Sequence, residues 1–425
     1  MRLRRFAPPQ GGALAPWGGL AGRVMPVDLF LPCAGGAEAL LADECRQVLG
    51  AKTRLIVARG GVVVEGDERA AMALNLESRL AQRVLWPLVH ASYRHEQDLY
   101  DIARGVRWTD WLTPQQTLRV DTTAQRSPLR SLNFATLRVK DAVCDALREA
   151  SGERPSVDTR APDLPLALHL TATHATLYVD TSGEALFKRG WRDAGASKGE
   201  APLKETLAAA MLAAAGWRGR AEDGPLLDPC CGAGTIAIEA AQLACGIAPG
   251  LERRFAFERL APWREQQGAW RELREAARAR IHAPAVPVFA GDVSFRMTDF
   301  SSRNAARARV GHAIEFKTAD ALQRPPPAER GTLVLNPPYG ERLAAKGHGA
   351  AREDFEGGGT PAAFFAELAS HWKRHYAGWT AWVLSPEMKL PSLMRLKESQ
   401  RVPMWNGPIE CRLFRFDMVA GSARR

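Results

Sequence analysis

The chain lacks the cysteine patterns that hold metal ions or structural disulfides. Its seven cysteines include no C-x-x-C pair and no matched pair of histidines, so the sequence predicts neither a zinc site nor a redox dithiol. An odd number of cysteines without a secretory signal favours reduced thiols in a cytoplasmic protein. No run comes near the roughly 18 consecutive apolar residues that a membrane-spanning helix needs, so we do not expect an integral membrane protein.

Lysine is scarce, and the positive charge comes mainly from arginine. Of the 57 basic residues, 10 are lysine and 47 are arginine. Against 47 acidic residues they give a net charge of +10, which suits a polyanionic partner such as nucleic acid or an anionic membrane. A genome rich in G and C would favour arginine in the same way. The charge alone therefore leaves the partner open.

With 425 residues, 46% of them hydrophobic, the chain should form two or three folded domains of roughly 100 to 200 residues each. Residues 1–25 have four arginines, no acidic residue and many glycines and prolines, which predicts a disordered basic extension. The rest divides into two α+β units, a polar linker and a unit of alternating strands and helices: residues 26–90, 91–185, 186–204 and 205–420.

The alternation in residues 205–420 predicts a parallel sheet with helices on both faces, which is a doubly wound α/β domain. The expected strands lie at 226–227, 286–290, 314–317, 332–335 and 379–385. The expected helices lie at 235–245, 294–310 and 361–377.

The first informative motif is PLLDPCCGAGT, residues 225–235, between a short apolar run and an amphipathic one. Gly232 and Gly234 allow a sharp turn and a close approach of the backbone to a ligand. A dinucleotide site would need a third glycine where Ala237 stands, and Asp228 would repel a pyrophosphate. An acid suits a ligand with an ammonium and a sulfonium, namely S-adenosylmethionine. An ordinary turn between a strand and a helix is the alternative.

We therefore expect the loop to contact this cofactor, and Thr235 to cap the following helix. The loop residues predicted to bind the cofactor are Asp228, Cys230, Gly232, Gly234 and Thr235.

Two further acids follow expected strands of the same domain. Asp292 ends VPVFAGD, where its carboxylate can accept hydrogen bonds from both ribose hydroxyls. Asp320 ends IEFKTAD, where it can accept a hydrogen bond from the adenine amino group. Each acid alone would more often be a solvated loop residue. Their spacing behind the glycine loop is what makes them cofactor-binding candidates.

The most specific motif is LNPPYGERL, residues 335–343, which follows an apolar strand. Pro337 and Pro338 fix the backbone and remove two N–H donors, and the Asn336 side chain adds an acceptor oxygen. Such a cradle of acceptors fits the exocyclic amine of a nucleobase, on which Tyr339 would stack. We predict Asn336, Pro337, Pro338 and Tyr339 as the catalytic set, with Asn336 also touching the cofactor. A proline-rich turn is the alternative.

Taken together, the sequence resembles the bacterial THUMP-domain class I RNA methyltransferases, in particular the 23S rRNA guanine-N2-methyltransferases in the form with one methyltransferase domain. The resemblance covers about residues 27–418. It rests on VKDAV (139–143), LFKRGWR (186–192), PLKETLAAA (202–210), LLDPCCGAGT and NPPYGERL. It implies a ferredoxin-like N-terminal part, a THUMP RNA-binding domain and a class I, Rossmann-like methyltransferase domain.

The resemblance also implies roles for single residues. Asp228, Gly232 and Gly234 would line the cofactor, Asp292 would hold its ribose and Asp320 its adenine. Asn336 to Tyr339 would hold the target base. Two positions depart from the family: Ala233 stands where relatives often have serine, and Val293-Ser294 lacks the second acid that relatives often carry after Asp292.

Basic residues near the expected THUMP domain and in the linker are candidates for RNA contacts, although solvated surface charge is the plainer interpretation of each one. They are Arg126, Arg130, Lys140, Lys188, Arg189 and Arg192. The small, glycine-rich segment 344–360 is expected to form a lid over the substrate.

The function expected from these features is methyl transfer from S-adenosylmethionine to the N2 amine of a guanine in 23S rRNA. A tRNA guanine-N2 methyltransferase would use the same modules, and adenine N6 methylation would use the same N-P-P-Y cradle. A non-catalytic RNA-binding factor in ribosome assembly is the alternative from another class. The intact cofactor loop and amine cradle argue against it.

Overall fold

The computed structural model describes residues 26–192, 203–337 and 361–419. The expected extension at 1–25, the whole of the expected lid at 344–360 and residues 193–202 of the expected linker lie outside the described residues. The predicted site residues Pro338 and Tyr339 lie outside them as well.

The N-terminal half is built on one mixed sheet. Its strands are β1 (Val27–Pro32), β2 (Leu55–Ala58), β3 (Gly61–Gly66), β4 (Leu85–Ser92), β5 (Thr117–Ala124), β6 (Ser156–Val157), β7 (Leu164–Leu170) and β8 (His174–Asp180). Its α-helices are α1 (Glu38–Leu49), α2 (Glu68–Glu77), α3 (Glu96–Arg104) and α4 (Leu132–Ser151). Within residues 26–192 the strands form one eight-stranded sheet in the order β2-β3-β1-β4-β8-β7-β5-β6.

Local sequence explains where these helices begin and end. The Asp67 carboxylate accepts a hydrogen bond from the Ala70 N–H at 2.8 Å and caps α2. The Ser131 hydroxyl accepts one from the Phe134 N–H at 3.2 Å and caps α4. Gly152 ends α4 in a left-handed conformation, with a φ of 81°.

The C-terminal half is built on a second sheet. Its strands are β9 (Leu226–Asp228), β10 (Val288–Asp292), β11 (Ile314–Thr318), β12 (Gly331–Leu335), β13 (Trp379–Ser385), β14 (Gln400–Asn406) and β15 (Ile409–Asp417). Its α-helices are α5 (Glu205–Ala214), α6 (Thr235–Ala244), α7 (Gln267–Ala279), α8 (Phe295–Arg307), α9 (Pro361–His375) and α10 (Leu390–Met394). Within residues 203–337 and 361–419 the strand order is β11-β10-β9-β12-β13-β15-β14.

Strands β9 to β13 are parallel, and β14 and β15 form an antiparallel hairpin at one edge. Successive residues of a strand point to opposite faces of the sheet, and the packing of two neighbouring residues in β9 shows that both faces are covered. Leu226 packs into a core that continues into the N-terminal half, whereas Leu227 packs against α9 and α10. The doubly wound α/β fold predicted from the sequence is confirmed.

The two halves share one core instead of meeting across a solvated linker. Trp86 of β4 contacts Trp263 of the C-terminal half edge to face, with ring centroids 5.2 Å apart. In the segment expected to be a linker, Leu186 and Trp191 are buried. The polar composition of residues 186–192 concealed these apolar anchors, which hold this part of the expected linker against the fold.

Several elements were not predicted from the sequence pattern. They are β4, β6, α5, α7, α10, β14 and β15. Strand β4 contains Pro87 and a shift in register between Pro87 and Val89, which interrupt the regular pattern of a strand. No helix in the described ranges is long and apolar enough to cross a membrane.

Candidate active site

The predicted site residues of the C-terminal half meet at one edge of its sheet. Strand β9 lies between β10 and β12, with Asp228 opposite Ala290 and Leu227 opposite Leu333. All three strands are parallel, so their carboxyl ends carry Asp228, Asp292 and Asn336 to the same edge. The chain runs from β9 outward to β10 and later returns to β12 on the other side. Ligands bind at such a switch point in doubly wound sheets.

The glycine loop turns as the sequence predicts, and its two glycines have positive φ angles of 49° at Gly232 and 82° at Gly234. The Gly234 N–H donates to the Cys231 carbonyl at 2.7 Å, which closes the turn. A Cβ atom at Gly232 would meet nothing within 4 Å among the described residues, so the space beside this Cα is open.

Thr235 does not cap α6, contrary to expectation. Gly234 occupies the N-cap position, and Thr235 is the first residue of the helix. The Thr235 hydroxyl instead accepts a hydrogen bond from Arg192 Nη2 at 2.8 Å. The left-handed backbone at Gly234 puts the start of α6 one residue earlier than a threonine cap would require.

Two residues of α8 hold the glycine loop from behind. Ser301 Oγ donates to the Gly232 carbonyl at 2.5 Å, and Asn304 Nδ2 donates to the Ala233 carbonyl at 3.0 Å. Both side chains are buried. Sequence reasoning missed them, although a signal exists: Thr298, Ser301 and Asn304 recur every three residues on the buried face of a helix, where apolar residues are expected.

Asp228 is almost fully buried, with 1% of its surface exposed. Burial raises the pKa of its carboxyl group to about 8, and the nearby Asp292 adds to the increase. The Cys230 N–H donates to Asp228 Oδ1 at 3.3 Å and acts in the opposite direction. Since a cation placed beside Asp228 would favour its ionised form, the site has an electrostatic reason to bind a positively charged ligand.

Asp292 ties the glycine loop to the end of β10. Its Oδ2 accepts a hydrogen bond from the Gly232 N–H at 3.1 Å, and its Oδ1 accepts one from the Ser294 N–H at 3.1 Å. Burial raises the pKa of this carboxyl group, although both backbone bonds oppose the increase. The neighbouring Asp320 lies close by, because the Ala319 N–H donates to the Asp292 carbonyl at 3.0 Å. The Asp320 carboxylate accepts a bond from Leu322 N–H at 2.9 Å.

Asn336 follows β12 directly, and its Oδ1 atom is buried. This oxygen has no hydrogen-bond partner among residues 26–192, 203–337 and 361–419. A buried amide oxygen left unpaired costs free energy, so an unpaired one at a ligand-binding edge indicates a place for a donor from a ligand. Pro337, the next residue, is buried too and has no N–H to donate.

No group of three or more His, Cys, Asp or Glu side chains in the described parts of the chain is placed to hold a metal ion.

A family model described as "RMKL-like, methyltransferase domain" matches residues 189–415, which is more than half of the chain. The chain belongs to this methyltransferase family. Two further models match the N-terminal half: "RlmL ferredoxin-like domain" over residues 28–85 and "THUMP domain" over residues 93–180. The family resemblance seen in the motifs is confirmed, and with it the class I fold and S-adenosylmethionine as the methyl donor of the domain.

Relatives and solved structures agree with this family. The chain is 35% identical over 405 residues to the "Ribosomal RNA large subunit methyltransferase K/L" of Shewanella baltica strain OS195. The match covers 94% of this chain and 54% of the relative, so the chain spans about half the length of the curated relatives it matches. A structure of SMU.472 complexed with SAH has a TM-score of 0.79 at 24% identity, covering 94% of this chain and 100% of that one.

Another structure carries a name that points to a different base. It is a "predicted N6-adenine-specific DNA methylase" from Listeria monocytogenes, with a TM-score of 0.77 at 27% identity. That match covers 93% of this chain and 96% of the other.

Four of the basic residues proposed for RNA contacts lie in or beside the THUMP-matched region, at or near the surface. Arg126 and Arg130 are exposed, and Arg126 has a positive φ of 60°. Lys188 is exposed and pairs with Glu184 at 3.0 Å. Lys140 is partly exposed and pairs with Asp141 at 2.7 Å. Such exposed pairs are weak and exchange easily for a phosphate contact.

The other two basic residues pair with buried carboxylates. The Arg189 side chain is 2% exposed and pairs with the buried Glu239 at 3.0 Å. The Arg192 guanidinium is held by Glu205, the Leu203 carbonyl and the Thr235 hydroxyl. The prediction of an RNA contact for Arg189 is wrong, because its acidic partner stands 50 residues away in the sequence and buries the guanidinium group inside the fold. The Arg192 side chain is 25% exposed, so an RNA contact of this residue stays a prediction.

Proposed function

We propose that this protein transfers a methyl group from S-adenosylmethionine to the exocyclic N2 amine of a guanine in 23S rRNA. The observation that carries the proposal is the buried Asn336 Oδ1, which has no hydrogen-bond partner in the part of the chain that the structure describes and lies at the edge of the sheet where the glycine loop also lies. An exocyclic amine has two N–H donors, and a site that offers acceptors is complementary to it.

In the proposed reaction, Asn336 Oδ1 accepts one N–H bond of the guanine amine, and the Pro337 carbonyl accepts the other. These bonds concentrate the nitrogen lone pair, which attacks the methyl carbon of the sulfonium. The new N–C bond forms as the C–S bond breaks, and S-adenosylhomocysteine leaves as the neutral thioether. The methylated nitrogen then loses one proton to solvent, so a strong general base is not needed. Tyr339 is assigned to stack on the flipped base.

The cofactor is assigned to the loop of Asp228, Cys230, Gly232, Gly234 and Thr235, with Asp292 at the ribose and Asp320 at the adenine. The open space beside Gly232 and the buried carboxyl group of Asp228, which a cation beside it would ionise, support this assignment. Because Asp292 already accepts the Gly232 and Ser294 N–H groups, its carboxylate would hold the ribose and the loop together.

RNA is assigned to the N-terminal half. The THUMP match and the exposed Arg126 and Arg130 support this assignment, as does the name of the relative, a large-subunit ribosomal RNA methyltransferase. Phosphate contacts from Arg126, Arg130, Lys140 and Lys188 would position the RNA, while its shape and the flipped base supply specificity. We keep the division into residues 26–90, 91–185 and 205–420 as the proposed domain boundaries.

Adenine N6 methylation is the second candidate, and the name of the Listeria structure favours it. A tRNA guanine would fit the same arrangement of domains. One experiment separates all three: methylated nucleosides are mapped by mass spectrometry in 23S rRNA and tRNA from a strain that lacks the gene, with and without its restoration. The proposal expects one N2-methylguanosine in 23S rRNA to disappear and return. Loss of a tRNA methylguanosine or of 6-methyladenosine would overturn the RNA or the base assignment.

A further inference from the structure

Glu239 is a fully buried carboxylate on α6, one turn after the glycine loop. Its two oxygens pair with guanidinium groups from outside the methyltransferase sheet. Glu239 Oε1 lies 3.0 Å from Arg189 Nε, and Oε2 lies 3.2 Å from Arg79 Nη1. Arg79 follows α2 in the N-terminal half, and Arg189 lies in the segment that joins the two halves.

Two further N–H groups of the Arg189 side chain are bound to backbone carbonyls. Arg189 Nη1 donates to Leu186 at 2.7 Å, and Nη2 donates to Arg79 at 2.7 Å. Arg79 Nη2 donates to the carbonyl of Ile247, a few residues beyond α6. A buried charge is tolerated when it is paired and its other bonds are satisfied, as here.

Arg192 holds the same helix one turn earlier. Its Nη2 donates to Thr235 Oγ1 at 2.8 Å and to the Leu203 carbonyl at 2.8 Å, and its Nε donates to Glu205 at 2.5 Å. A cation is unfavourable near a helix N-terminus, so the buried Glu205 explains why a guanidinium is stable there. Thr235 and Glu239 are four residues apart and therefore lie on one face of α6.

We infer that Arg189 and Arg192 are positioning residues for the cofactor loop: together with Arg79 they hold the first two turns of α6, and thereby Gly232 and Gly234, in place. Ser301 and Asn304 hold the loop carbonyls from within the domain. The arginines hold the helix from the joining segment and from the N-terminal half. The cofactor site therefore depends on residues of the joining segment and of the N-terminal half.

This inference rests on the proposed function only in placing the cofactor at the glycine loop. Its test is a double-mutant cycle on the full chain, with affinity for S-adenosylhomocysteine measured by calorimetry. The variants are Arg192→Gln, Thr235→Val and the two combined. Thr235→Val should weaken binding about tenfold, the effect of one lost hydrogen bond to a charged group. Arg192→Gln should weaken it at least as much, because it also loses the contacts with Glu205 and the Leu203 carbonyl. Since both changes remove the contact between Arg192 and Thr235, adding Thr235→Val to Arg192→Gln should weaken binding by less than Thr235→Val weakens it in the wild type.

Controls separate positioning from general stability. Arg69→Gln removes an exposed ion pair between the halves, with Glu272 at 3.6 Å, and should leave the affinity unchanged. Arg192→Lys keeps the charge but cannot reach all three acceptors, so it should be intermediate. With saturating cofactor, the single-turnover methylation rate of Arg192→Gln should stay near that of the wild type.

The pair of Arg189 and Glu239 is more deeply buried, and a drastic substitution there would destabilise the fold. We therefore choose the conservative change Arg189→Lys. The comparison is made at a temperature at which hydrogen exchange in the two sheets is the same in the variant and in the wild type. At that temperature Arg189→Lys should bind S-adenosylhomocysteine more weakly, and hydrogen exchange should be faster in residues 229–236. If Arg192→Gln and Arg189→Lys lower only the melting temperature, or if the cycle is additive, the inference is wrong. A wild-type protein that does not bind the cofactor would instead refute the cofactor site itself.

Discussion

The cofactor side of the site, formed by the glycine loop and Asp292, and the base side, formed by Asn336 and Pro337, differ in how fully their polar groups are hydrogen-bonded within the protein. On the cofactor side, the Gly232 and Ala233 carbonyls and both Asp292 oxygens have hydrogen-bond partners within the chain. On the base side, Asn336 Oδ1 is buried with no partner in the described residues. A loop held on several sides is preorganised for one ligand, whereas an unpaired acceptor is satisfied only when its ligand arrives.

The largest effect is expected from a substitution that disrupts the cofactor side of the site. Gly232→Val should abolish binding of S-adenosylmethionine, because valine is strained at a φ of 49° and its side chain would fill the open space beside the loop. Calorimetry measures the effect. The matched control is Gly407→Val, in the β14–β15 turn, with a φ of 63° and equally open surroundings. It carries similar strain and should bind normally. Wild-type affinity in Gly232→Val would place the cofactor elsewhere.

The second-largest effect is expected from a variant that leaves both sides of the site intact and removes three of the proposed RNA contacts. Combining Arg126→Ala, Arg130→Ala and Lys188→Ala should weaken RNA binding strongly at low salt. The slope of log affinity against log salt should become shallower by roughly two to three, about one unit for each lost phosphate contact. Filter binding across a salt series measures both quantities, and cofactor affinity serves as the control. An unchanged affinity and slope would mean that RNA binds to another surface.

The smallest expected effect is on the pH dependence of the free energy of unfolding, and it comes from the protonation of Asp228. Its pKa in the folded protein is about 8 and its ordinary value is 3.8, so the folded protein retains a proton that the unfolded chain releases. The contribution of the protonated group to stability is complete below about pH 3.8 and is lost as the pH rises to about 8.

Asp228→Asn imitates the protonated group at every pH. The free energy of unfolding of the ligand-free wild type should therefore fall relative to Asp228→Asn between pH 5 and pH 8, and level off above that. Urea titrations at several pH values measure the difference. A wild type that gains on the variant as the pH rises would show that Asp228 is ionised in the folded protein.

Local chemistry explains what sequence reasoning found. The turn of the loop follows from the spacing of Gly232 and Gly234, and the shared edge of the sheet follows from acids placed directly after parallel strands. The same reasoning could not assign Arg189, whose environment is set by Glu239, 50 residues away. The spacing of Ser301 and Asn304 marks polar residues on a buried helix face, but the sequence does not say which carbonyls they bind, because those lie 69 and 71 residues away in the loop.

The central claim is that Asn336 Oδ1 accepts a hydrogen bond from the target amine, and the Asn336→Ala variant tests it most directly. Single-turnover methylation of undermethylated 23S rRNA would be measured beside cofactor and RNA affinity. Both affinities should stay near those of the wild type, while the rate falls by about 10² to 10³, the cost of one preorganised partner lost from a transition state. Asn336→Asp, which keeps an acceptor of the same shape, should retain part of the activity. A wild-type rate in Asn336→Ala would contradict the account.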